Sequence, residues 1–151
     1  MKPLLTALLA VAAMPCWAQT IEVLNHDVTQ ETIDQTICVR GYAKSVRPSV
    51  NYTNGVKAKL MREQGIDWSL AHDYELDHIV SLELGGNPRN IHNLQLQPWD
   101  GPDGAHAKDK LENKLHRMVC RRQITLSEAQ ACIWKDWQAC GFAAQQHTRG
   151  V

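Results

Sequence analysis

Residues 74–120, YELDHIVSLELGGNPRNIHNLQLQPWDGPDGAHAKDKLENKLHRMVC, decide the fold. Tyr74 to Leu84 is a strand-like run that breaks at Gly85-Gly86 and Pro88, where the chain turns without steric cost. A second apolar alternation, Leu94 and Leu96 on either side of Gln95, stops at Pro98. Two short antiparallel strands joined by a loop are therefore predicted. Beyond the turn-rich PWDGPDG, Leu111, Leu115, Met118 and Val119 recur at i, i+4, i+7 and i+8, which is one apolar face of a helix. Asp77 and His78 fall on the first strand, Asn93 begins the second, and His106 lies at the start of the helix.

Upstream, Val28, Ile33 and Ile37 form a weak helical stripe behind a cap at Asp27 or Thr29, which predicts a short helix. Gly41 to Tyr52 reads as extended, because Pro48 forbids a continuing helix. Asn54 is expected to cap a helix that buries Val56, Leu60 and Met61 and ends at Gly65 in a left-handed cap. Its Lys57, Lys59 and Arg62 read first as a solvated face. Downstream, Thr125 to Glu128 is a capping box opening a helix that buries Ala129, Ile133 and Trp137 and stops at Gly141. Trp134 and Trp137, at helical spacing, read as core, and the tail from Gln145 as frayed. With 151 residues and neither a repeat nor a second domain, the chain is expected to be one α+β domain.

Lys2, the apolar run Leu4 to Met14, and the small-residue end Cys16-Trp17-Ala18 follow the plan of a secretory signal cleaved after Ala18. The run is too short to span about 30 Å of hydrocarbon, so residues 19–151 are expected to be periplasmic or secreted, with no membrane contact. Removing residues 1–18 takes Lys2 and leaves 15 basic against 16 acidic residues, so no global basic field draws in nucleic acid. Any such attraction must be local. Four cysteines remain, Cys38, Cys120, Cys132 and Cys140, an even count that suits two disulfides in an oxidising compartment. Three connectivities are open. The preferred one pairs Cys132 with Cys140, which flank one helical segment, and Cys38 with Cys120, which ties the N-terminal part to the long helix.

Phosphodiester hydrolysis needs a base for the attacking water and positive charge for the phosphoryl oxygens and leaving group. Imidazole, with an unperturbed pKa of about 6.5, supplies the base, and a divalent cation held by oxygen and imidazole supplies the charge. Asp77 and His78, adjacent on a strand, point to opposite faces and can serve the two roles. His106 at a helix N-terminus can complete a cation's coordination, where local positive potential also suits phosphate. Asn93 can tie the loop that carries His78 to backbone on both sides. Asp103 competes as a ligand or helix cap; His92 should face away, and His72 and His116 read as surface.

At these residues the chain resembles the HNH nucleases, and CVRGYAKSVRPSV, DYELDHIVSLELGG, NLQLQP and AHAKDKLENKLHRMVC look like a secreted bacterial branch of them. The resemblance runs from about Thr29 to Trp137, and its specific part is Asp77 to Leu115. It implies a ββα-metal module at about 74–120 with flanking helices. In it His78 is the general base, Asn93 the orienting residue, and Asp77 and His106 hold one divalent cation. Mg²⁺ is the default, with Mn²⁺, Ni²⁺ or Zn²⁺ as alternatives. The chain departs from the family in its long, proline-rich path from Asn93 to His106 and in lacking C-x-x-C knuckles. The activity implied is endonucleolytic cleavage of DNA, with RNA as a second substrate, leaving 5′-phosphate and 3′-hydroxyl ends. Lys110, with Lys108, Lys114 and Arg117, would meet substrate phosphates, and the alternative reads Lys110 and Lys114 as plain solvated helix charges. No major-groove reading module is present, so little sequence specificity is expected from a monomer. Two other readings stand beside this one: a catalytically inactive metal- or nucleic-acid-binding module on the same scaffold, and a toxin with an inhibitor or immunity protein as partner.

Overall fold

The structure is a computed structural model and describes residues 23–146; the expected signal segment and the tail from 147 lie outside the described residues. β1 (Tyr74–His78) and β2 (Leu94–Pro98) pair antiparallel, with Leu76 opposite Leu96, Asp77 opposite Gln95 and His78 opposite Leu94. The hairpin is the one expected, but β1 ends at His78 and does not run on to Leu84. Asn93 accounts for this. Its Oδ1 accepts from Val80 N at 2.8 Å, and its Nδ2 donates to Val80 O and Asn87 O, both at 3.0 Å. The amide thus takes both backbone groups that a longer strand would need at Val80. Leu82–Leu84 then wind into one 3₁₀ turn, closed by Gly85 at φ 78. Gly86 beside it has no space for a side chain, since a Cβ would lie 1.8 Å from Val80 O. The start of the described chain seats on this loop: Asn25 N donates to Gly85 O at 2.8 Å and Asn87 N to Val23 O at 2.7 Å.

The helix expected between Asp27 and Ile37 is a succession of turns instead. Thr32 Oγ1 donates to Asp27 O at 2.8 Å and accepts from Thr29 N at 2.8 Å, and Thr36 Oγ1 donates to Thr32 O at 2.7 Å. Such hydroxyl-to-backbone bonds compete with helix. Val28, Ile33 and Ile37 are nonetheless buried in the core. The segment expected to be extended holds α1 (Tyr42–Val46), which stops because Arg47 takes the extended conformation favoured before proline. α2 (Val50–Glu63) begins one turn before Asn54, after Ser49. A tertiary anchor holds that extra turn: Tyr52 OH donates to Arg89 O at 2.7 Å, and the Arg89 guanidinium lies 4.9 Å over the Tyr52 ring. Lys57, read as solvated, donates from Nζ to Ala71 O and Tyr74 O, each at 2.6 Å, strapping α2 to the start of β1.

α3 (Ala105–Cys120) and α4 (Leu126–Gln146) pack on each other and close the core with Val23, Val80 and Leu84. The buried face of α3 is Ala105, Lys108, Leu111, Glu112, Leu115 and Val119, a 3.6-residue period that carries two charged residues inward. The capping box of α4 forms, with Glu128 N donating to Thr125 Oγ1 at 3.2 Å and Thr125 N to Glu128 Oε2 at 2.7 Å. Gly141 does not end α4. The helix breaks at Asp136 (φ −166, ψ 94), whose Oδ1 accepts from Gln138 N and Ala139 N at 3.1 Å and so caps the next segment. The break brings the Cα atoms of Cys132 and Cys140 within 5.4 Å, where eight residues of unbroken helix would hold them about 12 Å apart. The disulfides are Cys38–Cys120 and Cys132–Cys140, the pairing preferred from sequence and one compatible with an oxidising compartment. Among the described residues, no helix is long and apolar enough to cross a membrane.

Candidate functional site

The end of β1, the turn at Ser81–Glu83 and one face of α3 enclose a cavity of about 80 Å³ lined by Asp77 and His78 together with Arg47, Glu75, Ser81, Glu83, Asp109, Glu112 and Asn113. His78 is buried, and its Nε2 lies 3.2 Å from Pro88 O. A carbonyl can only accept, so Nε2 carries the proton in the neutral ring, and Nδ1 is the nitrogen left to act as a base. Burial holds the His78 pKa below the usual imidazole value against the opposing pulls of Pro88 O and Asp77, which keeps that ring neutral. Asn93, fully buried, fixes the Val80 and Asn87 backbone and hence the loop that runs from His78 to Pro88.

Asp77 is held by a residue expected to meet substrate phosphate instead. Lys108 is 1% exposed, and its Nζ donates to Asp77 Oδ2 at 2.9 Å, to His78 O at 2.7 Å and to Glu112 Oε1. All three ammonium protons are thus placed. Burial opposes this charge, but Glu112 and Asp77 more than offset it, so the Lys108 pKa lies above its usual value and the ammonium persists. Gln95 Nε2 donates to the same Asp77 oxygen at 3.2 Å. Glu75, which alternates with Asp77 along β1, is pushed up to about 7 by burial first and then by Asp77 and Asp109. Glu112 is also pushed up to about 7, by burial against the pull of Lys108. The cavity therefore carries more carboxylates than the nearby ammonium and guanidinium match.

His106 is elsewhere. Its side chain is 59% exposed, 4.0 Å from Asp100 and tilted on the Trp99 ring at a centroid distance of 5.3 Å. It does not line the cavity. The reason is helical phase: at 100° per residue His106 and Lys108 project about 200° apart, so the helix that turns Lys108 toward Asp77 turns His106 away. Asp103 does not cap α3, since Gly104 holds that position without a side-chain bond; the Asp103 carbonyl accepts from Gln97 Nε2 at 2.8 Å. Lys110 is exposed and lines a separate, wider groove with Lys114, Leu111 and Trp137, on the side of α3 that faces α4. His72 and His92 are exposed, as read. His116 is not purely surface: its Nε2 donates to Ile37 O at 2.8 Å.

Asp77 and His106 are not brought around one cation in this arrangement, because Lys108 holds Asp77 Oδ2 and His106 faces solvent outside the cavity. Among the described residues, one set of three His, Cys, Asp or Glu ligand atoms lies mutually within 4.8 Å, namely Cys38, His116 and Cys120, and both of its sulfurs are bonded to each other. Lys108 and Glu112 had a signal in the sequence: they stand four residues apart on the same stripe as Leu111 and Leu115. Glu75 had one too, as the strand neighbour two positions before Asp77. Nothing local in the sequence marks Arg47, Ser81 or Glu83, which arrive by tertiary folding. Comparison of the chain with family models, with curated proteins and with solved structures gave no match.

Proposed function

We propose that this protein hydrolyses phosphodiester bonds of nucleic acid with His78 as general base, on an HNH-type ββα module exported from the cell. The observation that carries the reading is the placement of His78: its ring is anchored through Nε2 on Pro88 O at 3.2 Å, beside a polar cavity and on a loop clamped by Asn93. A water placed against Nδ1 gives up its proton there as its oxygen bonds to phosphorus; the P–O3′ bond breaks and the leaving 3′-oxygen takes a proton from solvent, giving 5′-phosphate and 3′-hydroxyl ends. The Arg47 guanidinium, exposed and lining the same cavity, offers planar N–H donors that match phosphoryl oxygens as charge builds on them. Asn93 acts as a positioning residue, through His78. No step is assigned to a cation at Asp77, since the Lys108 ammonium holds that carboxylate. DNA is the expected substrate and RNA the second, with backbone contacts that weaken as salt rises.

One observation favours the inert binding module instead: Asp77, the ligand implied by the resemblance, is already paired with Lys108. Digestion of supercoiled plasmid and of single-stranded RNA by wild type and His78→Ala separates the two readings. Cleavage by wild type that falls at least 100-fold in His78→Ala supports hydrolysis. Absence of cleavage by wild type under every cation and chelator condition supports the inert module.

A further inference from the structure

Among the described residues, three buried side-chain oxygens lack a hydrogen-bond partner: Glu75 Oε2, Ser81 Oγ and Glu83 Oε2. They come from a strand and a turn, yet all three residues line the single cavity beside His78. Buried polar atoms are rarely left unpaired, and three converging on one small space is not what ordinary packing produces. Ser81 is 6% exposed, so it is largely screened from bulk solvent. All three atoms have oxygen lone pairs to offer, and Asp109 and Glu112 line the same space. At these three atoms the carboxylates repel an anion unless a cation lies between, and an apolar ligand leaves the oxygens unpaired. A hard cation satisfies them.

We propose that a divalent cation of the Mg²⁺ class binds between Glu75, Ser81 and Glu83, one strand pleat from Asp77. Lys108 displaces the cation from Asp77, and the alternation of β1 turns Glu75 to the same face as Asp77. The cavity's carboxylate oxygens form no mutual set within 4.8 Å, so the ion keeps several waters, as Mg²⁺ does when one or two carboxylates hold it. Oxygen donors without thiolate favour Mg²⁺ or Mn²⁺ over softer metals.

Calorimetric titration of the full, oxidised chain with MnCl₂ tests the site, and the electron paramagnetic resonance signal of Mn²⁺ gives the stoichiometry independently. One ion per chain is expected. Glu83→Gln, of the same shape, should weaken binding at least tenfold, Ser81→Ala should weaken it severalfold, and His106→Ala should leave it unchanged. Thermal melts confirm that each variant is folded, and Ser81→Ala decides the matter if Glu83→Gln is not. Absence of binding at millimolar Mn²⁺, binding indifferent to both cavity variants, or binding abolished by His106→Ala would each overturn the proposal. The outcome is separate from the hydrolytic reading. Mn²⁺ held in the cavity of a protein that cleaves nothing keeps this site and removes the nuclease, whereas cleavage without Mn²⁺ binding does the reverse.

Discussion

Lys108→Met tests the buried ion cluster most sharply, because it keeps side-chain length and removes the charge. In the folded protein the ammonium is 1% exposed and donates to Asp77, to Glu112 and to the His78 carbonyl. Its pKa is raised above 10.5, so deprotonation of the lysine removes its contribution only as pH rises past the folded-state value, whereas at acid pH the contribution fades as Asp77 and Glu112 take up protons. Methionine therefore leaves the Asp77 carboxylate and the His78 carbonyl without their donor at neutral pH, while Glu112, already pushed up to about 7 by burial, takes up a proton. Breaking a buried charge pair in this way costs about 3–5 kcal/mol. For a chain of this size that lowers the melting temperature by about 10 °C. The assay is thermal unfolding followed by far-ultraviolet circular dichroism, with disulfides kept oxidised, at pH 7.5 and pH 4. The loss should shrink by more than half at pH 4, where the orphaned Asp77 carboxylate takes up a proton, and adding Asp77→Asn and Glu112→Gln should recover most of it at pH 7.5. A loss under 2 °C at pH 7.5, or an equal loss at both pH values, would refute the reasoning.

Three further outcomes are expected. Asn93→Ala leaves Val80 N, Val80 O and Asn87 O without the amide that joins them, so unfolding in urea should show a loss of about 3 kcal/mol and hydrogen exchange should quicken at Val80. Removing Cys38–Cys120, with a sequence separation of 82, should cost about 4.5 kcal/mol, against about 2.5 for Cys132–Cys140, with a separation of 8; melts of the two double-serine variants give the order, and the reverse order would contradict it. Burial holds the His78 pKa below the usual imidazole value, so the base is mostly unprotonated at neutral pH; the cleavage rate should hold from pH 8 to 7 and fall only as pH drops through the lowered value. A rate already falling between pH 8 and 7 would take His78 out of the base role.

Much of the fold could be read directly from residue pattern. Period-2 alternation about Gln95 and period-3.6 recurrence through Leu111, Leu115 and Val119 are local signals, and β2 and α3 follow them. The capping box at Thr125 is equally local. Where tertiary contacts compete, the pattern misleads. β1 stops early because an asparagine fifteen positions after His78 takes the Val80 backbone, and α4 breaks inside its apolar stripe because Asp136 caps a new segment. The site was half legible. Asp77, His78 and Asn93 sit around one loop, as their order suggested, whereas Lys108 read as a phosphate contact on an open face because lysine is seldom buried without a partner. Its partners, Asp77 and Glu112, come from another element and from the next turn of its own helix. Helical phase then separates His106 from the cavity, a consequence of which face α3 buries and not of any residue's chemistry.

The location of the chemistry is tested most directly by single-turnover plasmid cleavage with His78→Ala and His106→Ala side by side, both confirmed folded. With His78 as the base beside the cavity and His106 facing solvent, His78→Ala should lose about 100-fold to 10,000-fold in rate, while His106→Ala stays within threefold of wild type. A His106→Ala rate that collapses, or a His78→Ala rate that does not, would contradict the placement.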